Sequence, residues 1–286
     1  MEANLNNILV GRAGSAVQDA REPVRRCASH ALIRRILILA SVGAVMSVML
    51  ISPAQAEPQQ LTFPVKVAER AGERRALVCA PKGPPPFAAV VFNHGSIVDM
   101  MGWPGATQRG YRLDRVCEAL AEEGYFVFAP IRENSARGRG FQDYEDAYRE
   151  IVLQAIDHVK ALAGVDSTRI ALAGFSMGGL VSFKVALERS DLRAVALLAP
   201  AFGRGLLGEA AKSADRISAP MLVMVEQSDG APILRGVGIL EQALGSRGKP
   251  LRLVRYDRGG GHELFYDIGY WWDDLKAFLH QHLVAR

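Results

Sequence analysis

Ser176 stands in "ALAGFSMGGL" between Gly174 and Gly178, at the end of an apolar run. A hydroxyl at the tip of a sharp strand-to-helix turn is presented as a nucleophile, and small residues on either side let such a turn close. The string Gly-x-Ser-x-Gly arises by accident in about one chain in seven of this composition, so its surroundings must decide. The preceding "RIALAGF" reads as a buried strand and the following "MGGLVSFKVALER" as a helix. Requiring both lowers the accidental reading to about one in fifty.

A serine hydroxyl attacks poorly at neutral pH unless a base lies within hydrogen-bond reach and a third group orients that base. The chain has six histidines: His30, His94, His158, His262, His280 and His282. His158 falls in a helical segment ahead of the serine. His280 and His282, two apart on the closing helix, do not share a face, which also argues against a metal pair. His262 follows the last strand "LRLVRYD" through the flexible "RGGG" and is the expected base. The acid is expected on the loop after "MLVMV", where "EQSDGAP" offers Asp229, with Glu226 nearer the strand end as competitor. Oxyanion donors are expected from the N–H of Met177, directly after the serine, and of Ser96 in the loop after "AAVVFNHG", with His94 and Gly95 shaping that turn.

These residues need a scaffold that brings strand ends together. Short apolar runs alternate with segments of helical period, as in a mostly parallel twisted sheet of seven to eight strands with helices on both faces. The expected strands are "RALVCAP", antiparallel, then "AAVVFNH", "YFVFAP", "RIALAGF", "AVALLAP", "MLVMVEQ" and "LRLVRYD". Ile151, Ala155, Val159 and Leu162 form one apolar stripe on a helix closing at Gly164, and Val116 and Leu120 repeat the scheme on a helix closing at Gly124. Functional groups collect at the carboxyl edge of such a sheet.

Residues 1–56 read as a leader. The uncharged "ILILASVGAVMSVMLI" follows Arg34 and Arg35 and gives way to "SPAQA", so cleavage after Ala56 and export to a periplasm or beyond are expected, with an uncleaved membrane anchor as the alternative. Residues 57–286 then form a single domain. The leader carries six Arg against Glu2, Asp19 and Glu22, so removing it takes +3 from the net +4 and leaves +1. With no Lys/Arg run left, a nucleic-acid partner is excluded, and no stable membrane association is expected after cleavage. Cys79 on a strand and Cys117 on a helix are expected as buried free thiols, with pairing in an oxidising compartment as the alternative.

Taken together, "NHG", "GFSMGG", the "SD" after the penultimate long strand and the final "GGGH" resemble the α/β-hydrolase superfamily, specifically its dienelactone-hydrolase-like and related esterase members, over about residues 65–284. That resemblance implies the chain order serine, acid, histidine, which maps onto Ser176, Asp229 and His262. Dienelactone hydrolases proper use a cysteine nucleophile, so cleavage of a dienelactone ring is not implied. Many relatives have a glycine near the place of Glu226.

The function expected is an exported serine hydrolase acting on small esters or thioesters through an acyl-enzyme. The alternatives are a peptidase of the prolyl-oligopeptidase-like branch, which "SARGRGF" resembles, and a non-catalytic exported binding protein. The short "FGRGLLGEAAKSADRIS" leaves no room for a large lid. The loop "SIVDMMGWPGATQRGYR" offers Met100, Met101 and Trp103 either as an acyl pocket or as core packing. Arg132, Arg137 and Arg139 in "IRENSARGRGF" either hold a substrate carboxylate or form a solvated basic loop. No metal or organic cofactor is expected, because the histidines and acids lack ligand spacing.

Overall fold

The computed structural model describes residues 58–132 and 141–284, the side chains of 141–144 excepted. The expected leader, its cleavage point, Arg137 and Arg139 lie outside the described residues. Eight strands form the sheet: β1 (Gln59–Val67), β2 (Arg70–Cys79), β3 (Phe87–Asn93), β4 (Phe126–Pro130), β5 (Val165–Phe175), β6 (Ala194–Leu198), β7 (Met221–Glu226) and β8 (Leu251–Tyr256). Their order is β1-β2-β4-β3-β5-β6-β7-β8. β2 pairs antiparallel with β1 and with β4, and every other pairing is parallel.

The continuous apolar runs of β3, β4, β6 and β7 are buried at every position, as strands covered on both faces must be. One face packs under α3 (Phe141–Lys160), α4 (Met177–Ala186), α5 (Leu206–Ala211) and α6 (Ala231–Gly245). The other lies under α1 (Ser96–Gln108), α2 (Leu113–Glu122) and α7 (Trp272–Leu283). In β5 the pleat sends Ile170 and Leu172 to the first core and Ala171, Ala173 and Phe175 to the second. The stripe Ile151, Ala155, Val159 on α3 is wholly buried, as its spacing requires. Among the described residues no helix is long and apolar enough to cross a membrane.

Four features differ from the sequence expectation. β1 was not among the expected strands, because Pro64 interrupts "LTFPVKV"; proline is tolerated there because β1 is an edge strand, and Phe63, Val65 and Val67 still alternate into the core. The stretch after Ser96 is a helix, not a loop, and it is broken at Gly102 (φ 73°, ψ 165°) ahead of Pro104. α3 ends at Lys160 instead of Gly164.

The fourth difference is chemical. Cys79 and Cys117 are joined in a disulfide, with Cα atoms 5.7 Å apart, where free thiols were expected. The last residue of β2 and a buried position of α2 face each other across the same core, a proximity that residues 38 apart in sequence do not advertise. Closing a loop of that length removes roughly 4 kcal/mol of unfolded-chain entropy. Cys79→Ser with Cys117→Ser is therefore expected to lower the urea unfolding free energy by about 2–4 kcal/mol while leaving the far-UV circular dichroism unchanged. An unaltered midpoint would show that the crosslink does not constrain the unfolded chain.

Candidate active site

Ser176 joins β5 to α4 with φ 54° and ψ −117°, a backbone state that non-glycine residues rarely occupy. Three backbone hydrogen bonds hold it there. Its N–H donates to Leu198 O (2.9 Å), and its carbonyl accepts from Leu180 (3.1 Å) and Ala201 (2.8 Å). The turn is so tight that a Cβ on Gly178 would lie 2.1 Å from Asn93 O, and one on Gly174 would lie 2.3 Å from Gly178 O. The two flanking glycines are thus required by space, and the β3 backbone presses directly on the start of α4.

The neighbouring strand ends deliver the other groups. Asp229 follows β7 and is 7% exposed; His262 follows β8, in a 3-10 turn over Gly261–Tyr266. Gly259, Gly260 and Gly261 all take positive φ (79°, 96° and 52°), a path that side chains with a Cβ rarely follow. His262 Nδ1 lies 2.8 Å from Asp229 Oδ2, and Nε2 lies 2.8 Å from Ser176 Oγ. A carboxylate only accepts, so Nδ1 carries the proton and Nε2 presents its lone pair to the serine hydroxyl. Such a chain can move a proton from Oγ to the imidazole while a carboxylate faces the cation that forms. Asp229 Oδ1 accepts the Gly230 N–H at 2.6 Å, and the Phe175 ring lies 4.8 Å from the imidazole, so both partners are held.

Glu226, the competing acid, ends β7 fully buried and turns elsewhere: its Oε2 accepts the Tyr270 hydroxyl at 2.6 Å. The same hydroxyl lies 3.1 Å from Gly259 O, and Gly261 N–H donates to Ser228 Oγ at 3.1 Å. Burial first, then the Glu226 carboxylate, pushes the Tyr270 hydroxyl up to about 12. Two polar contacts beyond the His262–Asp229 bond therefore tie the acid loop to the histidine loop. Neither Tyr270 nor Ser228 carries a sequence signal of this role, because both act on backbone groups of a distant loop.

The oxyanion candidates Ser96 and Met177 open α1 and α4, so as first residues of helices their N–H groups have no intrahelical acceptor. Beneath Ser96 sits a buried polar cluster. Arg132 N–H donates to His94 Nε2 at 3.1 Å, its Nη2 donates to the His94 carbonyl, and its guanidinium pairs with Asp99 at 3.2 Å. Because Nε2 accepts, His94 carries its proton on Nδ1, 3.0 Å from Gly95 O. Burial, then the nearby Arg132, holds the His94 ring well below the usual imidazole range, so it is neutral and structural. Burial also raises Asp99 to about 6, against the opposing pull of Arg132. Both expectations for Arg132 are corrected: it is neither a solvated loop residue nor a carboxylate clamp, since its side chain is wholly enclosed.

Two clefts meet at this point. One, of about 440 Å³, holds Ser96, Ser176 and His262 together with Ile97, Met100 and Met101. Trp103 packs half-buried on the core beneath α1, where the break at Gly102 redirects the chain after Met101, and neither of these two clefts includes it in its lining. The other cleft, of about 670 Å³, lies beside Met177 and His262 and is walled by Phe202 and Ile233, which the sequence reading did not single out. His158 packs against Phe63 and Phe128 in the core, and His282 packs on Phe278. Among the described residues no group of His, Cys, Asp and Glu is arranged to hold a metal ion.

The elbow geometry is testable by one methyl group. Gly178→Ala is expected to cost roughly 2–4 kcal/mol in urea unfolding, because backbone atoms on both sides cannot yield. Gly72→Ala, where a Cβ would meet nothing within 4 Å, is expected to leave the midpoint in place. Equal effects would mean that the close approach of α4 to β3 is not what the glycine serves.

The sequence matches the dienelactone hydrolase family over residues 75–267, more than half of the chain. No curated protein sequence matches it. Among solved structures, a Klebsiella pneumoniae protein assigned as a dienelactone hydrolase superposes with a TM-score of 0.56 at 18% identity, covering 78% of this chain and 99% of that one. Acylaminoacyl peptidase from Pyrococcus horikoshii superposes with a TM-score of 0.62 at 15% identity, and dipeptidyl peptidase 4 from Porphyromonas gingivalis with 0.58 at 17%. The matched regions cover 80% and 79% of this chain but only 43% and 36% of those peptidases. The open, mostly parallel sheet is that of the α/β-hydrolases, and by the extent of the match this chain belongs to the dienelactone hydrolase family.

Proposed function

We propose that the protein is an exported serine hydrolase that cleaves small carboxylic esters or thioesters through an acyl-enzyme. The observation that carries this reading is the hydrogen-bonded chain Ser176–His262–Asp229, with both links at 2.8 Å, in a solvent-accessible cleft. His262 removes the Oγ proton as Ser176 attacks the carbonyl carbon, then returns it to the leaving oxygen or sulfur. Asp229 fixes the tautomer and faces the imidazolium. The N–H groups of Met177 and Ser96 receive the oxyanion, and a water activated by His262 releases the acid in the second half-reaction. The serine departs from the cysteine of dienelactone hydrolases proper, which is why ester and thioester bonds are proposed in place of a dienelactone ring. Export is supported by the Cys79–Cys117 bond, which persists in oxidising compartments, together with the leader read from the sequence.

Peptide-bond cleavage is the second reading, favoured by the fold shared with the acylaminoacyl and dipeptidyl peptidases. Turnover of p-nitrophenyl acetate against peptide p-nitroanilides separates the two.

A fluorophosphonate is expected to label Ser176 in the folded protein, and Ser176→Ala is expected to abolish labelling and to lower p-nitrophenyl acetate turnover on the order of 10⁴-fold or more. Failure of a folded sample to label would sink the reading. Tyr270→Phe removes the hydroxyl that links Glu226 to Gly259 without touching substrate. It is expected to lower kcat about five- to tenfold with KM within about twofold, as misplacement of a base does. An unchanged kcat would mean that the Asp229 contact alone sets the imidazole.

A further inference from the structure

We infer that the cleft walled by Phe202 and Ile233 is the subsite for the acyl half of the substrate, and that it takes an uncharged hydrocarbon chain. The inference rests on the hydrolase reading and adds to it the chemistry of one half of the ester. The cleft begins at Met177 and His262, so a group entering it is already beside the proposed oxyanion donor and the proposed base. Ala201, Phe202, Pro232 and Ile233 complete its floor and walls. The surface that these residues expose is almost wholly carbon. Arg204 and Arg235 also line it, and because the cleft exposes almost no polar atom, what they contribute to its surface is hydrocarbon stem. A carboxylate or ammonium inside this cleft would lose hydration against a surface that exposes almost no polar atom, whereas a methylene gains on entry.

Phe202 packs on both neighbouring helices: its ring lies within van der Waals distance of where a Cβ would stand on Gly236 of α6 (3.4 Å) and on Gly208 of α5 (3.8 Å), and it packs against the core of that face. A pre-formed aromatic wall loses little side-chain entropy when a chain packs on it.

The two clefts differ in what they suit. The one beside Ser96 includes Arg109 and Glu263, both exposed, and so can solvate the new hydroxyl of a departing alcohol. The acyl chain stays covalently bound through both half-reactions, so hydrocarbon contacts made to it act on both transition states. That assigns the apolar cleft to the acyl group and the more polar one to the leaving group.

The test is a series of p-nitrophenyl esters from acetate through butyrate and hexanoate, run on the full chain beside a fluorophosphonate labelling control. kcat/KM is expected to rise roughly two- to fourfold per added methylene until the cleft is filled. Ile233 lies in the first turn of α6, where an acidic side chain is tolerated by the helix N-terminus, so Ile233→Asp is expected to fold. It should lower kcat/KM for the hexanoate at least about tenfold more than for the acetate, and Ile233→Ala should act in the same direction with a smaller difference between the two esters. A flat acyl-length profile with acetate still hydrolysed overturns the subsite and leaves the hydrolase reading standing. So does an equal loss on all chain lengths in Ile233→Asp, or a dependence on alcohol length in a series of alkyl acetates. Loss of both acetate turnover and labelling overturns the hydrolase reading and the subsite with it.

Discussion

The close approach of α4 to the β3 and β5 backbones is the constraint on which the rest of the site depends. With Asn93 and Gly174 paired in register, the first turn of α4 presses on the Asn93 carbonyl, and only a residue without Cβ fits at Gly178. Asn93 Nδ2 reaches across the same junction to Ser182 Oγ at 2.7 Å, tying the end of β3 to the middle of the helix. Ser176 then has no alternative to its positive φ, and its hydroxyl is delivered above the sheet edge. Local strain of this kind persists only where its surroundings over-determine it, and three backbone hydrogen bonds do so here.

The remaining groups are placed by ties between loops and not by rigid elements. Asp229 and His262 lie on connections, and a connection alone does not hold a side chain to a few tenths of an ångström. The acid loop is braced through Glu226 and Ser228, and the histidine loop through Gly259 and Gly261, which accept and donate in turn. On the other side of Ser176, the Arg132 guanidinium and backbone N–H both hold His94, so the peptide leading to Ser96 rests on a buried ion pair. Removing one member of such a pair would leave an uncompensated buried charge, so the cluster beneath Ser96 is costly to disrupt.

Much of the architecture was legible in the chain. The apolar runs and helical stripes marked the strands and the two faces of the sheet, because burial of a periodic element is written in its own residues. Ser176, Asp229 and His262 stood out because each follows a readable strand in a stretch of glycines or turn residues. The edge strand β1 was obscured by Pro64, since tolerance of a proline depends on whether a neighbouring strand needs its N–H. Trp103 was placed by a break at Gly102, which turns the chain by an angle that residue types do not specify.

The sequence by itself determined the class of fold, the order of its elements and the chemical types available at the strand ends. Tertiary structure alone decided that Cys79 meets Cys117, that Arg132 is enclosed beneath the turn leading to Ser96, that Asp229 and not Glu226 faces the imidazole, and that Phe202 and Ile233 open a second cleft beside it. The physical reason is range: periodicity and turn chemistry act over a few residues, whereas the contacts within the site join residues 33 and 86 apart, and their distances follow from sheet order, register and loop path.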